Sequence, residues 1–241
     1  MIGREWSDWW RAVKELLAGC LLTKRCLVCR REGSYLCAAC RGRLEIKKTN
    51  QCPICLKQQV GGQVCQNCQG DSWLDGLWVA ADYRQPVVQR ALQLFKYQLV
   101  AEIKEVFDCL LAEHFKINPA WQDNYLLVPV PLHCRRQRWR GFNQAELIAR
   151  IISKIKGNQL ANQIIARKIY HQPQVGLRAE ARKKNVRGVF TVNLAALEDV
   201  KQKPVVLIDD VYTTGATMQE CAKVLKQAGC KSVWGLVLAR G

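Results

Sequence analysis

Eight cysteines between residues 26 and 68 fall into four CxxC pairs: Cys26 and Cys29, Cys37 and Cys40, Cys52 and Cys55, Cys65 and Cys68. A CxxC turn sets two thiolates on one side of a knuckle, and two knuckles complete the tetrahedral four-sulfur shell that zinc accepts. Four pairs therefore make two sites, both closed and so structural rather than catalytic. Few large apolar residues stand between Cys26 and Cys68. Bound metal must then supply the folding free energy, roughly 10–16 kcal/mol for structural zinc in small peptides. Pairing in chain order, first with second and third with fourth, closes the shortest loops at the least entropic cost. Interleaved pairing stays open at this level. Four thiolates also suit an iron–sulfur centre, and a lone CxxC suits a thioredoxin-type dithiol. Zinc is preferred because the pairs are evenly matched and no strand–helix context surrounds any of them. Cys20, Cys109, Cys134, Cys221 and Cys230 have no such spacing and read as ordinary buried thiols.

The rest of the chain must fold on its own apolar content. At 241 residues, with 49% hydrophobic and 24% charged residues, it has ordinary globular usage, which excludes fibrous and disordered classes. No apolar run is long enough for a membrane helix. Trp6, Trp9, Trp10, Val13, Leu16 and Leu17 recur at three- and four-residue steps, the stripe of an amphipathic helix over residues 1–24. That stripe suits docking on the protein body, or contact with a membrane surface through its tryptophans. Arg4, Glu5, Asp8, Arg11, Lys14 and Glu15 interrupt any signal-peptide core, so a cytoplasmic location is expected. Disulfides are correspondingly not expected.

From Trp73 onward, short β-branched runs alternate with helical periodicity, the pattern of an α/β domain. Strands are expected at residues 77–83, 126–130, near 164 and 189, at 205–208 and at 232–238. Helices are expected at about 86–95, 101–115 and 143–154, and from the end of the 209–217 loop to 228. The last strand–helix–strand unit requires parallel neighbours. Ligands of open parallel sheets bind beyond the carboxyl ends of the strands, which points to the loop Asp209-Asp210-Val211-Tyr212-Thr213-Thr214-Gly215-Ala216-Thr217. Gly215 permits close backbone approach. The loop's amides and threonine hydroxyls converge on a helix N-terminus, a natural seat for a monophosphate. Two acceptor-only carboxylates beside it suit a sugar diol, with magnesium screening charge nearby. The expected ligand is a phosphorylated sugar. No lysine follows the glycine, so this is not a Walker loop.

The acidic pair followed by TTGAT resembles the phosphoribosyl pyrophosphate (PRPP) motif of the type I phosphoribosyltransferases. By that resemblance Asp209 and Asp210 hold the ribose hydroxyls and Thr213, Thr214, Gly215, Ala216 and Thr217 hold the 5′-phosphate. The four CxxC pairs, Pro129-Val130-Pro131-Leu132, Arg140-Gly141-Phe142-Asn143-Gln144, and Arg182, Asn185 and Phe190 together are similar to the ComF/GntX family. The resemblance implies a double zinc ribbon over residues 25–70. It implies a phosphoribosyltransferase-like parallel sheet with flanking helices over 71–241, binding PRPP with Mg²⁺, and a place in DNA uptake during natural competence. It also assigns Pro131 and Arg140 to PRPP and makes Arg182 and Lys183 part of a loop covering the active site.

Charge adds a second strand to this reading. Lysine and arginine number 37 against 20 acids, a net +17, so an anionic partner is expected. Eight thiolates remove eight charges and two zinc ions restore four, leaving +13. Residues 135–187 hold fourteen basic residues against Glu146 and Glu180. Such a run serves either departing pyrophosphate or single-stranded DNA, with Trp139 and Phe142 stacking bases. Competence-machinery proteins are further expected partners.

Overall fold

The computed structural model describes residues 24–48, 51–95, 100–118, 121, 124–132, 137–138, 141–168 and 188–241. The amphipathic stripe over residues 1–23 lies outside them, as do Cys134, Trp139, Arg140, Arg182 and Lys183. The chain divides into two compact units, the first ending at Leu44 and the second running from Glu45 to Gly241. The described part of the first unit is the Cys26–Cys40 segment with one short helix, α1 (Ala38–Arg41).

The second unit is built on a four-stranded, all-parallel sheet. Its strands are β1 (Gly76–Asp82), β2 (Leu126–Pro129), β5 (Pro204–Tyr212) and β6 (Ser232–Arg240), in the order β1-β6-β5-β2. Val205 to Ile208 and Leu236 to Ala239 are wholly buried, because a parallel sheet covered on both faces takes unbroken apolar runs. Helices α2 (Pro86–Phe95) and α3 (Val100–Ile117) connect β1 to β2, and α4 (Gln144–Lys156) follows β2. Asn143 caps α4 by accepting from the Ala145 N–H at 3.1 Å, and Gly157 ends it in the left-handed region. Two short strands, β3 (Ile165–Arg167) and β4 (Phe190–Val192), pair antiparallel as a separate ribbon. A one-turn helix α5 (Leu197–Val200) precedes β5. Helix α6 (Ala216–Gln227) joins β5 to β6, burying Met218, Cys221, Ala222 and Leu225 along one face.

These elements agree with the sequence expectations except at the decisive loop. β5 continues four residues past Ile208, so Asp209 and Asp210 belong to a strand and the connecting turn shrinks to Thr213-Thr214-Gly215. The neighbouring strand explains the extension. β6 runs to Arg240 and keeps pairing, Val211 with Ala239 and Tyr212 with Arg240, so the ladder holds the acidic pair extended. On the opposite side of β6, Trp234 stacks on Trp78 at 4.4 Å between ring centroids, and Gly76 leaves room for its ring.

Candidate functional site

The turn after β5 is set by chain geometry before any ligand arrives. Gly215 has φ 74° and stands at the N-cap of α6, and a Cβ there would run into the ring of Tyr212. Only glycine satisfies both the left-handed backbone and the close approach. The Ala216 N–H donates to Thr214 Oγ1 at 3.4 Å, and the Gln219 N–H donates to the Gly215 carbonyl at 2.8 Å. Thr213, Thr214, Gly215, Ala216 and Thr217 surround a hollow of about 40 Å³ together with Asp209, Val211, Tyr212 and Met218. Amides at a helix N-terminus with hydroxyls beside them make a seat for a small anion.

The carboxylates divide. Asp209 lines the hollow, and its Oδ1 accepts from the Asp210 N–H at 2.8 Å. Asp210 is the next residue on the strand, so its side chain faces the other side of the sheet edge. Both are half-buried. Beneath the turn, Tyr212 is buried, and burial pushes its hydroxyl pKa up despite the neighbouring Arg240 and a hydrogen bond from Gln219. Pro131 lines a different space, a groove of about 810 Å³ shared with Asn143, Asn162, Arg167 and Asn193. Arg140, Arg182 and Lys183 fall outside the described residues. Phe142 is half-buried and packs at a tilt against Phe95, 5.8 Å between ring centroids, while Trp139 lies outside the described residues. Tyr212, Gln219 and Arg240 were not among the site residues expected from sequence. Only the β5–β6 register brings the last of them beside the turn.

The cysteines gather in chain order, Cys26, Cys29, Cys37 and Cys40 in one cluster and Cys52, Cys55, Cys65 and Cys68 in the other, with all Sγ atoms of a cluster within 4.8 Å of one another. The Cys29–Cys37 and Cys55–Cys65 Sγ separations are both 3.6 Å. A zinc–sulfur bond of about 2.3 Å gives tetrahedral edges of about 3.8 Å, so four thiolates at this spacing fit zinc. Burial works against charge on Cys26 and Cys52. Backbone N–H groups, those of Cys29, Cys37 and Val28 in one cluster and of Cys55, Cys65 and Ile54 in the other, outweigh it and bring each thiol down to about 6. The partner thiols shift the other way, each pushed up to about 12, Cys40 by burial and the neighbouring thiols and Cys68 by the neighbouring thiols and burial. Cys109, Cys221 and Cys230 are buried, and burial pushes the Cys221 thiol up and Cys230 to about 11, which suits inert core thiols.

A profile of the phosphoribosyl transferase domain matches residues 148–241, which span the turn and both central strands. Competence protein F of Haemophilus influenzae is 32% identical over 229 residues, covering 86% of this chain and 98% of the relative. The chain belongs to the ComF family. Two other relatives share the family's full span. Competence protein ComFC of Bacillus subtilis is 27% identical over 86% of this chain and 85% of its own length. DNA utilization protein YhgH of Escherichia coli is 30% identical over 85% and 90%. Among solved structures, a purine phosphoribosyltransferase from Pyrococcus horikoshii aligns with 57% of this chain and 81% of its own at 16% identity and TM-score 0.33, a distance at which nothing about ligands follows. The ComF chain therefore carries a phosphoribosyltransferase-type α/β domain and two four-cysteine clusters, as the sequence led us to expect. Among the described residues, no helix is long and apolar enough to cross a membrane.

Proposed function

We propose that this chain binds PRPP with Mg²⁺ at the turn after β5 and transfers phosphoribose to an acceptor during the handling of imported DNA in the cytosol. The observation that carries the reading is the hollow in which Asp209 faces the amides and hydroxyls of Thr213 to Thr217 at the head of α6. The 5′-phosphate takes the amides and threonine hydroxyls, and the ribose hydroxyls donate to Asp209, which lines the hollow, while Asp210 stands beside it on the other face of the strand. Mg²⁺, when bound, screens the pyrophosphate charge. The bond from the ribose carbon to pyrophosphate breaks with its electron pair leaving on pyrophosphate, while a lone pair of the acceptor, a nitrogen or another nucleophile, forms the new bond and any proton it carries passes to solvent. Fixed positive charge from Arg140, Arg182 and Lys183 stabilises the departing group, and Pro131 borders it. The organisation fitting this function is a 1–24 helix, a 25–70 double zinc ribbon and a 71–241 transferase-like domain.

Calorimetry of the zinc-loaded chain with PRPP and Mg²⁺ tests the reading. Binding is expected, along with PRPP-dependent pyrophosphate release that disappears when Asp209 and Asp210 become Asn. Normal release from that variant would remove the assignment. The basic run of residues 135–187 supports a second reading, in which PRPP is a regulator and the chain binds single-stranded DNA or competence-machinery proteins. Under it, DNA affinity falls steeply with salt and weakens when Arg135, Arg136 and Arg138 are neutralised, without any pyrophosphate release.

A further inference from the structure

The second cysteine cluster and the phosphate turn are joined through one side chain, Tyr212. Its ring lies directly under Gly215, where a Cβ has no room. Two bridges reach it from the cysteine segment. In the first, the Arg240 guanidinium lies over the Tyr212 ring at 5.2 Å from its centroid and donates to the Pro53 carbonyl at 2.9 Å, one residue after Cys52. In the second, the Gln219 side chain, close enough to the Tyr212 hydroxyl to pull its pKa down, donates to Ser72 Oγ at 2.9 Å and accepts from the Trp73 N–H at 2.8 Å, shortly after Cys68. The Gly241 N–H also donates to the Tyr212 carbonyl at 3.1 Å.

We infer that Tyr212, Arg240 and Gln219 are positioning residues through which metal at the Cys52–Cys68 cluster holds the phosphate turn in its anion-binding shape. Pro53 lies inside the knuckle, and its carbonyl direction depends on the four-sulfur shell being closed. When that shell opens, Arg240 loses its anchor, Tyr212 loses the cation over its ring, and Gly215 loses the ring beneath it. Any binding consequence rests on the reading of the turn as the PRPP phosphate site. Thermodynamic reciprocity then requires that a ligand ordering the turn also tighten metal binding at this cluster.

Hydrogen exchange of the amides of residues 212–216 tests the link in the zinc-loaded chain and its variants. Cys55→Ser, in the second cluster, should speed exchange by about tenfold, whereas Cys29→Ser, in the first, should leave it within about twofold. Arg240→Gln should speed exchange, and adding Cys55→Ser to it should bring little more, because both break one bridge. Arg240→Lys, which keeps a cation and a donor, should restore slow exchange. An unchanged turn in Cys55→Ser, or effects that simply multiply in the double variant, would overturn the inference. Should Cys55→Ser fail to fold, Gln219→Ala and Arg240→Gln serve instead. Each should quicken release of one of two zinc equivalents to a chromogenic chelator, and unchanged release counts against the link. PRPP titration of the unaltered chain separates the questions: no binding there removes the proposed function and leaves the exchange result standing.

Discussion

The two cysteine clusters share a local design and differ in their surroundings. In both, the first cysteine N–H donates to a carbonyl five residues on at 2.8 Å, Arg31 or Lys57, and its own carbonyl accepts at 3.0 Å from the fourth residue on, Arg30 or Leu56. Arg30 and Leu56 take nearly the same left-handed φ, 65° and 64°. Cys37 and Cys65 precede the closing helical turn with φ −67° and −70°. Surroundings then separate them. The Cys26–Cys40 cluster belongs to the unit ending at Leu44, whereas Cys52–Cys68 belongs to the unit carrying the sheet. There Val64 N–H donates to the Asp75 carbonyl at 2.9 Å, Gln63 bridges to Gly76 at the start of β1, and Arg240 reaches Pro53. The same knuckle thus belongs to the small unit in one place and is hydrogen-bonded to the sheet strands in the other. Its role is set by what its outer carbonyls touch.

Metal removal should expose the difference most strongly. Two zinc equivalents per chain are expected by elemental analysis, each worth on the order of 10 kcal/mol to its own segment. Cys26→Ser should leave the cooperative melt of the α/β body in place, while Cys52→Ser should lower it. Equal melts by circular dichroism would erase the distinction. Glycine substitutions are the next lever. Gly215→Ala meets both a left-handed backbone and the Tyr212 ring, so a loss of about 2–5 kcal/mol is expected in denaturant unfolding, together with loss of PRPP binding. Gly33→Ala, at φ 112° with open space around it, should cost only about 1–2 kcal/mol.

Acid offers a third separation, because it acts on the body through His114. That ring is buried, accepts from Asn118 Nδ2 at 3.1 Å, and is held by burial at about 4, below its ordinary 6.5. Since the folded value is depressed, the unfolded chain takes up the proton first. Stability should fall as pH drops from 6.5 toward 4, by up to about 3 kcal/mol, and His114→Gln should flatten that slope in melts against pH. The smallest effect concerns the shared left-handed residues. Arg30→Gly and Leu56→Gly should each stabilise zinc-loaded protein by no more than about 1 kcal/mol, and similarly, because relieved backbone strain offsets the entropy of glycine. A large difference between them would show that the knuckles are not equivalent.

Much of this was legible in the residues. The CxxC spacing announced both clusters and favoured chain-order pairing, because short loops close at least entropic cost, but it left interleaved pairing open until the structure brought the sulfurs together in chain order. Val205 to Ile208 announced a buried parallel strand and Gly215 a turn with close backbone approach, but that the Tyr212 ring fills the space of a Cβ there came only with the structure. The end of β5 was not legible. Asp209 to Tyr212 have the polar look of a loop, and only pairing with β6 as far as Arg240 keeps them extended.

Local chemistry therefore announced which cysteines come together and where the turn at the head of α6 lies, since both depend on neighbours within a few residues. Tertiary structure alone decided that the last strand's Arg240 meets Pro53 and Tyr212, residues 187 and 28 positions earlier in the chain. Strand register determines such meetings, and register is a property of the paired sheet rather than of any single segment.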